Sequence, residues 1–566
     1  MSNRIIVAAG LLLVLVCGLF AYVLIKRVAE GDSGDMTGDV VVASAAAAEP
    51  ASGRPAAPAK KTPGKEKAPA AGRDSSSSKS KQGSPAAAKP LLEGWEPPAA
   101  AFVISGEMHG YIEPCGCSLH QLGGLSRRAD LFRQIGERGW PVTGLDVGGL
   151  VNFPTRRQGK LKFDMILKCL ADMRYSAVAM GVEELQLGLE FLTYNDPAKL
   201  PFSFLAANVV LFGDPTLEQG PARKKIVKVG DKKIVVTGVF GEGYKKEVLP
   251  QGAEEENGDV KISDPVEALK KVLPELQAER PDLLVLLSHA KMAETEKLLA
   301  KFPQFDLVVT AGGSEDPDPK PKFIGKTLVV APGQKGKYVA VVGFYPKARE
   351  GRLKFELVGL DEDRFRNTPK IHEQMRDYQE LLKAANLVAG EPAIESPRNA
   401  VVKGDNPFVG VKVCGECHKS ALEVWETTKH AQGTESLKTG RPEQAKEWIN
   451  RVFDPECVAC HVTGWDPKRI IRYNTGFTGE ETTPLLVGQQ CENCHGPGGR
   501  HTGLERQFAK DKKLTDDVAA WRKFHRLSVK TAFDMCAECH DGDNDPHFSS
   551  DSFSSYWEQI VHPGKD

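Results

Sequence analysis

Four copies of one short pattern constrain this sequence more than anything else in it: Cys414/Cys417/His418, Cys457/Cys460/His461, Cys491/Cys494/His495 and Cys536/Cys539/His540, all in the last third of the chain. Two thiols at that spacing, followed at once by an imidazole, are the attachment signature of c-type haem. The thiols add to the vinyl groups of the porphyrin, and the adjacent histidine becomes the proximal ligand of the iron. A zinc site or a redox dithiol also uses C-x-x-C pairs, but neither requires a histidine after every one. The repeat therefore predicts four covalently bound c-type haems.

Residues 406–566, shared among four haems, leave too little chain for an apolar core of their own. Helical segments and loops wrapped around porphyrins are expected, with the haems themselves as the core and an apoprotein that does not fold. Five further histidines lie in this stretch: His430, His501, His525, His547 and His562. Two imidazoles per iron make a six-coordinate electron carrier, whereas an open position admits a small molecule. The Gly-Pro-Gly-Gly turn after His495 carries His501 to where it can cap a neighbouring haem. An ordinary surface or core imidazole is the alternative for each, strongest for His525 and His547.

With 566 residues, 41% hydrophobic and 26% charged, the chain has room for two or three domains of ordinary globular composition. A net charge of -1 argues against a nucleic-acid partner. The amino end is different: residues 5–25, "IIVAAGLLLVLVCGLFAYVLI", are uninterruptedly apolar and long enough for a hydrocarbon core of about 30 Å. Lys26 and Arg27 follow where a small-x-small cleavage site would stand, so residues 1–30 read as an uncleaved signal anchor and transmembrane helix. Cys17, preceded by Val16, fits a lipidation signal poorly and reads as a membrane-buried thiol. Flanking charge leaves the orientation nearly tied. Covalent haem attachment takes place outside the bacterial cytoplasmic membrane, which breaks the tie: the protein should be anchored in the inner membrane and face the periplasm. Residues 31–95, rich in Ala, Pro, Ser, Gly and Lys, have almost nothing with which to build a core and read as a disordered tether.

Between residues 96 and 365, short β-rich runs such as "AFVIS", "SAVAMG", "DLLVLLSHA" and "YVAVVGFY" alternate with helical patterns, which implies an α/β domain. A hairpin is predicted to turn at Gly230-Asp231, and a helix to open at Asp264 and Pro265. A second helix is predicted from residue 366, with Ile371, Met375, Tyr378, Leu381 and Leu382 on one face, followed by a Pro/Gly-rich connector to 405. The domain boundary falls near residue 400.

Several strand ends resemble the metallophosphoesterase domain of the 5′-nucleotidase family: "ISGEMHGYIEP", "GLDVGGL", "AVAMGVEEL" and "LLSHA", with "GGLSRRADLFRQ" and "APGQKGKYVAVVGF" outside the metal motifs. The resemblance implies a fold with a central pair of sheets flanked by helices, and a two-metal centre that activates water against a phosphate ester. His109 and His289 match that pattern, and Glu107 replaces its first aspartate. Gly149 stands where the bridging aspartate should be, Val182 and Glu183 replace Asn and His, and "TAGGSE" lacks the last histidines. Phosphoesterase activity and a divalent metal are therefore not expected. Glu107, His109, Glu183 and His289 are either a remodelled single-metal site or leftovers on a docking scaffold.

Twelve cysteines less the eight of the haem motifs leave Cys17, Cys115, Cys117 and Cys169. Cys115 and Cys117, flanking Gly116, are candidates for a strained, reducible disulfide, for metal ligation, or for an inert structural role.

The carboxy-terminal module resembles multihaem cytochromes of the cytochrome c-554 type, through "CGECHKSALEVWETTKHAQ", "DPECVACHVTGW", "CENCHGPGGRH" and "YWEQIVHPG". The resemblance implies distal ligands at His430, His501 and His562 and an open haem on Cys457/Cys460/His461. A membrane-tethered electron-transfer protein is the first expectation, with redox proteins and a membrane quinol-linked donor as partners. The alternatives are a redox enzyme acting on a small nitrogen or sulfur species at the open haem, and a metal-dependent phosphoesterase. Fold alone does not choose among them.

Overall fold

The computed structural model describes residues 90–114, 120–152, 156–187, 199–249, 259–399, 405–442 and 446–563. The apolar span 5–25, the tether to residue 89, and Cys17, Cys115 and Cys117 lie outside them. Among the described residues no helix is long and apolar enough to cross a membrane. The described residues form one compact unit.

Two six-stranded sheets dominate its first half. One runs, in spatial order, Leu353–Gly359, Tyr338–Phe344, Ala100–Ser105, Val142–Asp146, Tyr175–Ala179 and Ser203–Leu205. The other runs Lys322–Ile324, Thr327–Val330, Leu307–Thr310, Leu283–His289, Lys232–Phe240 and Lys224–Val229. Alternation of side chains along each strand sorts their residues onto two faces. Phe102 and Ile104 point into the core between the sheets, against Val236, Val285, Leu287 and Val309. Ala101 and Val103 point the other way, onto a core shared with helices Leu125–Glu137, Arg157–Asp172 and Pro369–Ala385. Helices Pro265–Ala278 and Met292–Lys301 cover the outer face of the second sheet. Burial on both faces explains why the central strands read as continuous apolar runs.

The hairpin turns where the sequence placed it, with Val229 opposite Lys232. Asp264 caps its helix by accepting from the backbone N–H groups of Val266 and Glu267, with Pro265 at the first helical position. In helix Pro369–Ala385, Ile371, Met375, Tyr378 and Leu382 are buried as expected. Leu381 is not: it is 44% exposed, and Gln379 takes the buried position instead, because its amide reaches across to Asp454.

The second half is short helices and loops. A small apolar cluster does form here, from Val388, Leu437, Val458, Ala459, Val462, Trp465, Phe477 and Leu486 around the second haem motif. This corrects the expectation that porphyrins alone supply the interior. Farther on the expectation fits: from residue 499 to 563 the buried hydrophobic side chains are Val518, Trp521 and Ala532.

Polar contacts fasten the halves together. Lys162, almost fully buried, donates to both oxygens of Glu456 at 2.6 and 2.7 Å. Gln158 and Gln379 donate to the two oxygens of Asp454. At the far side Lys335 and Tyr111 converge on Asp543.

Candidate functional site

Each C-x-x-C-H motif lies on a helical turn or at its end. Cysteines three apart then share one face and the histidine follows on the next turn. His418 N–H donates to Cys414 O at 3.0 Å and His540 N–H to Cys536 O at 2.8 Å. The second motif rides on helix Pro455–His461, which Asp454 caps through Glu456 N–H.

Ring orientation is fixed by hydrogen bonds to Nδ1. His461 Nδ1 bonds Gly433 O at 2.8 Å, His495 Nδ1 bonds His525 O at 2.7 Å, and His540 Nδ1 bonds Asp545 Oδ2 at 2.8 Å. With Nδ1 spent, Nε2 is the nitrogen each ring offers to a metal. Burial holds His461 and His495 below the usual imidazole pKa, which keeps a lone pair on the ring.

Three of the four motif histidines face a second imidazole from far along the chain. Ring centroids are 6.4 Å apart for His418 and His501, 6.1 Å for His430 and His540, and 5.9 Å for His495 and His562. Two metal–imidazole bonds of about 2 Å each, plus the half-widths of two rings, fill that span. The rings thus fit a bis-histidine iron. Among the described residues no imidazole faces His461 at such a spacing. His430, pushed down to about 4 by burial and then by His540 and His461, stays neutral in this group.

The thiols order the motifs in space. Cys414 is in side-chain contact with Cys491, and Cys460 with Cys539, while Cys494 lies near Cys536. First, third, fourth and second motif therefore form a row.

Seven of the eight motif thiols are partly buried in that row, but Cys417 is exposed. The reason for this exposure is local. Helix Val411–Gly415 ends before Cys417, and the first motif stands at one end of the row, so a neighbouring motif covers Cys414 but not its partner three residues on. Exposure does not alter the C-x-x-C-H spacing, and Cys417 lies beside His418 at the rim of the module.

His525 is half-buried. It returns the bond of His495 by pairing its own Nδ1 with His495 O at 2.8 Å, and its ring lies 4.9 Å from that of His501. His547 is exposed. Nothing in the sequence pattern marked Asp545 or Asp543, because each acts on a partner brought up by the fold.

The strand-end motifs of the α/β half converge as well. Glu107 and His109 follow Ala100–Ser105 in left-handed backbone conformations, φ 45° and 48°, which non-glycine residues seldom adopt. His109 Nδ1 pairs with Glu183 Oε1 at 2.8 Å. Burial opposes its charge, but Glu183 outweighs burial and raises the His109 pKa. Glu107 accepts from Gly312 N–H at 3.0 Å, and burial raises its pKa. His289, buried, is bound through Nδ1 to Val147 O and approached at Nε2 by Val182 N–H.

Glu184, which the sequence reading passed over, occupies the centre of these loops. It accepts from Gly149, Leu150 and Gly181 N–H groups at 3.0, 2.7 and 2.8 Å, and burial, then Glu183, pushes its pKa up to about 7. At Gly149, φ is +80° and a Cβ would lie 3.1 Å from Glu107 Cα. A side chain there would be strained and crowded. Among the described residues no three His, Cys, Asp or Glu side chains are arranged to hold a metal ion. The leftover Cys169 is a buried free thiol bonded to Gln374, its pKa pushed up to about 12 by burial.

Residues 413–496 match the family described as cytochrome c554 and c-prime. The chain is similar to cytochrome c-554 of Nitrosomonas europaea, with 34% identity over 146 residues, 24% of this chain and 58% of that protein. Its α/β half is similar to the apyrase of Aedes albopictus, 27% identical over 271 residues, 42% of this chain and 46% of that one. The chain thus spans about half the length of the curated relatives it matches. Solved structures with a similar α/β part include a 5′-nucleotidase precursor from Thermus thermophilus, 22% identical with a TM-score of 0.41, over 52% of this chain and 60% of that chain. A calcineurin-like phosphoesterase from Bacillus subtilis is 18% identical with a TM-score of 0.39, over 50% and 97%. The carboxy-terminal part is cytochrome c-554-like, which implies covalently bound c-type haem.

Proposed function

We propose that this protein is an electron-transfer cytochrome with four c-type haems, anchored in the inner membrane and facing the periplasm, whose 5′-nucleotidase-like half is a non-catalytic support. The observation that carries the reading is the set of three facing histidine pairs beside one unpaired proximal histidine. Bound haem supplies one-electron redox chemistry, at potentials tuned by axial ligands and their surroundings. His418 and His501 would hold the first iron, His495 and His562 the third, and His540 and His430 the fourth. His461 would hold the second from one side only. The apolar run 5–25 supplies the anchor, and the tether to residue 95 gives the cytochrome reach toward redox protein partners and a quinol-linked donor.

Electron paramagnetic resonance of the purified ferric protein tests this directly. Four haems per chain are expected, three low-spin and one high-spin. Four low-spin centres would remove the open position, and fewer haems would remove the reading.

The unpaired His461 favours one second reading, reaction of a small nitrogen or sulfur species at that open face. Binding of a small ligand to one centre in four supports it. The α/β half is expected to hydrolyse no nucleotide with added divalent metal, since Gly149 offers no bridging carboxylate and Glu184 staples the loops around it.

A further inference from the structure

One short loop connects the fourth haem motif to the α/β half. It runs from His540 through Asp541, Gly542, Asp543 and Asn544 to Asp545, and two of its carboxylates, those of Asp543 and Asp545, point opposite ways. Asp545 Oδ2 accepts the Nδ1 proton of His540 at 2.8 Å. Asp543 is gripped by the other half: Lys335 Nζ reaches both its oxygens at 2.7 and 2.9 Å, Tyr111 O–H donates at 2.8 Å, and Gln121 Nε2 donates to its carbonyl at 3.2 Å. Asp541 ties the turn, accepting from Asp543 and Asn544 N–H groups through Oδ1 and from Asp545 N–H through its carbonyl.

The acceptor on His540 differs in kind from those on His461 and His495. Those two donate to neutral backbone carbonyls of Gly433 and His525. A carboxylate instead makes the imidazole a stronger electron donor and places negative charge near the metal. Both effects favour the more positive iron.

From this geometry we infer that Asp545 sets the fourth iron at a lower potential than a backbone acceptor would, and that the grip of Lys335 and Tyr111 on Asp543 holds Asp545 in place. The α/β half thereby acts on one redox centre without touching its ligands. Lys335 is well placed for this: its own backbone N–H donates to Glu107 O at 2.8 Å, and its ammonium also meets Glu315 at 2.8 Å, so the cation is fixed beside the strand-end loops. Asp545 and Lys335 are positioning residues. The inference rests on the proposed attachment of haem at Cys536, Cys539 and His540.

Spectroelectrochemical titration of the full-length holoprotein tests it, with haem content and spin state measured on every variant. Asp545→Asn keeps the shape and removes the charge. It is expected to raise one potential, changing the reduced-to-oxidised ratio of that centre about tenfold at fixed poise, equivalent to about 59 mV for one electron. Lys335→Met and Asp543→Asn should move the same component in the same direction by less. Unchanged potentials in Asp545→Asn, with all haems and three low-spin signals retained, would overturn the inference and leave the haem assignment standing. A shift spread evenly over all centres would overturn it too. If Lys335→Met leaves the fourth centre where it was, the claim that the α/β half controls it is lost. Wild-type protein without haem on the last motif would sink inference and assignment together.

Discussion

Every residue of the strand Leu283–His289 is buried, whereas from residue 499 to the end of the described chain the buried hydrophobics are Val518, Trp521 and Ala532. The first region is closed by its own side chains, each buried Leu, Val or Phe contributing about 1.5–3 kcal/mol. The second closes around positions where histidine rings face one another and cysteines meet in pairs. The two regions are thus closed differently: by apolar area in the α/β half, and in the other around positions that the proposed haems would fill. Between them lies the cluster around Trp465 and Phe477, where a little of each applies.

The largest test of this contrast is Cys491→Ser combined with Cys494→Ser, at the middle of the row of motifs. Limited proteolysis should then cut readily within residues 405–563 while the α/β half keeps its own thermal transition. A resistant carboxy-terminal half without that haem would break the comparison. Next in size, His430→Ala should convert one low-spin ferric centre to high-spin in the resonance spectrum, leaving folding of the α/β half unchanged. The join itself is sharpened by Lys162→Met. The substitution leaves the Glu456 carboxylate without its ammonium partner, and because that carboxylate is 29% exposed the cost should be about 2 kcal/mol in denaturant titration, below that of a fully buried pair.

The smallest effect is on pH. Glu279 is held down to about 2 by hydrogen bonds from Lys233 and Lys224, against an ordinary value of 4.5. Its folded pKa lies below its unfolded one, so its contribution is present above about 4.5 and is lost as pH falls toward about 2. Glu279→Gln should flatten the acid limb of the stability curve slightly, and in the α/β half alone.

What sequence reading reached follows from chain separation. The C-x-x-C-H motifs, the Gly230-Asp231 turn and the Asp264 cap are decided within a few residues, where helix or turn geometry fixes the distance between side chains. Spacing said nothing of burial, so the exposure of Cys417 at the end of the row was not legible. Helix Pro369–Ala385 was legible apart from Leu381, whose exposure depends on Gln379 meeting Asp454 from the other half. The resemblance to nucleotidase loops placed Glu107, His109, Glu183 and His289 near one another, but not the role of Glu184, which only three converging backbone N–H groups reveal.

The amino-acid sequence by itself determined which thiols and imidazoles are spaced to attach haem, and which runs must be buried on both faces. Tertiary structure decided which distant histidine meets which: His418 with His501, His430 with His540, His495 with His562. It also decided that Asp545 and Asp543 carry opposite contacts from one loop. The reason is that separations of three or four residues have a fixed length, while partners tens of residues apart have none until packing closes the loops between them.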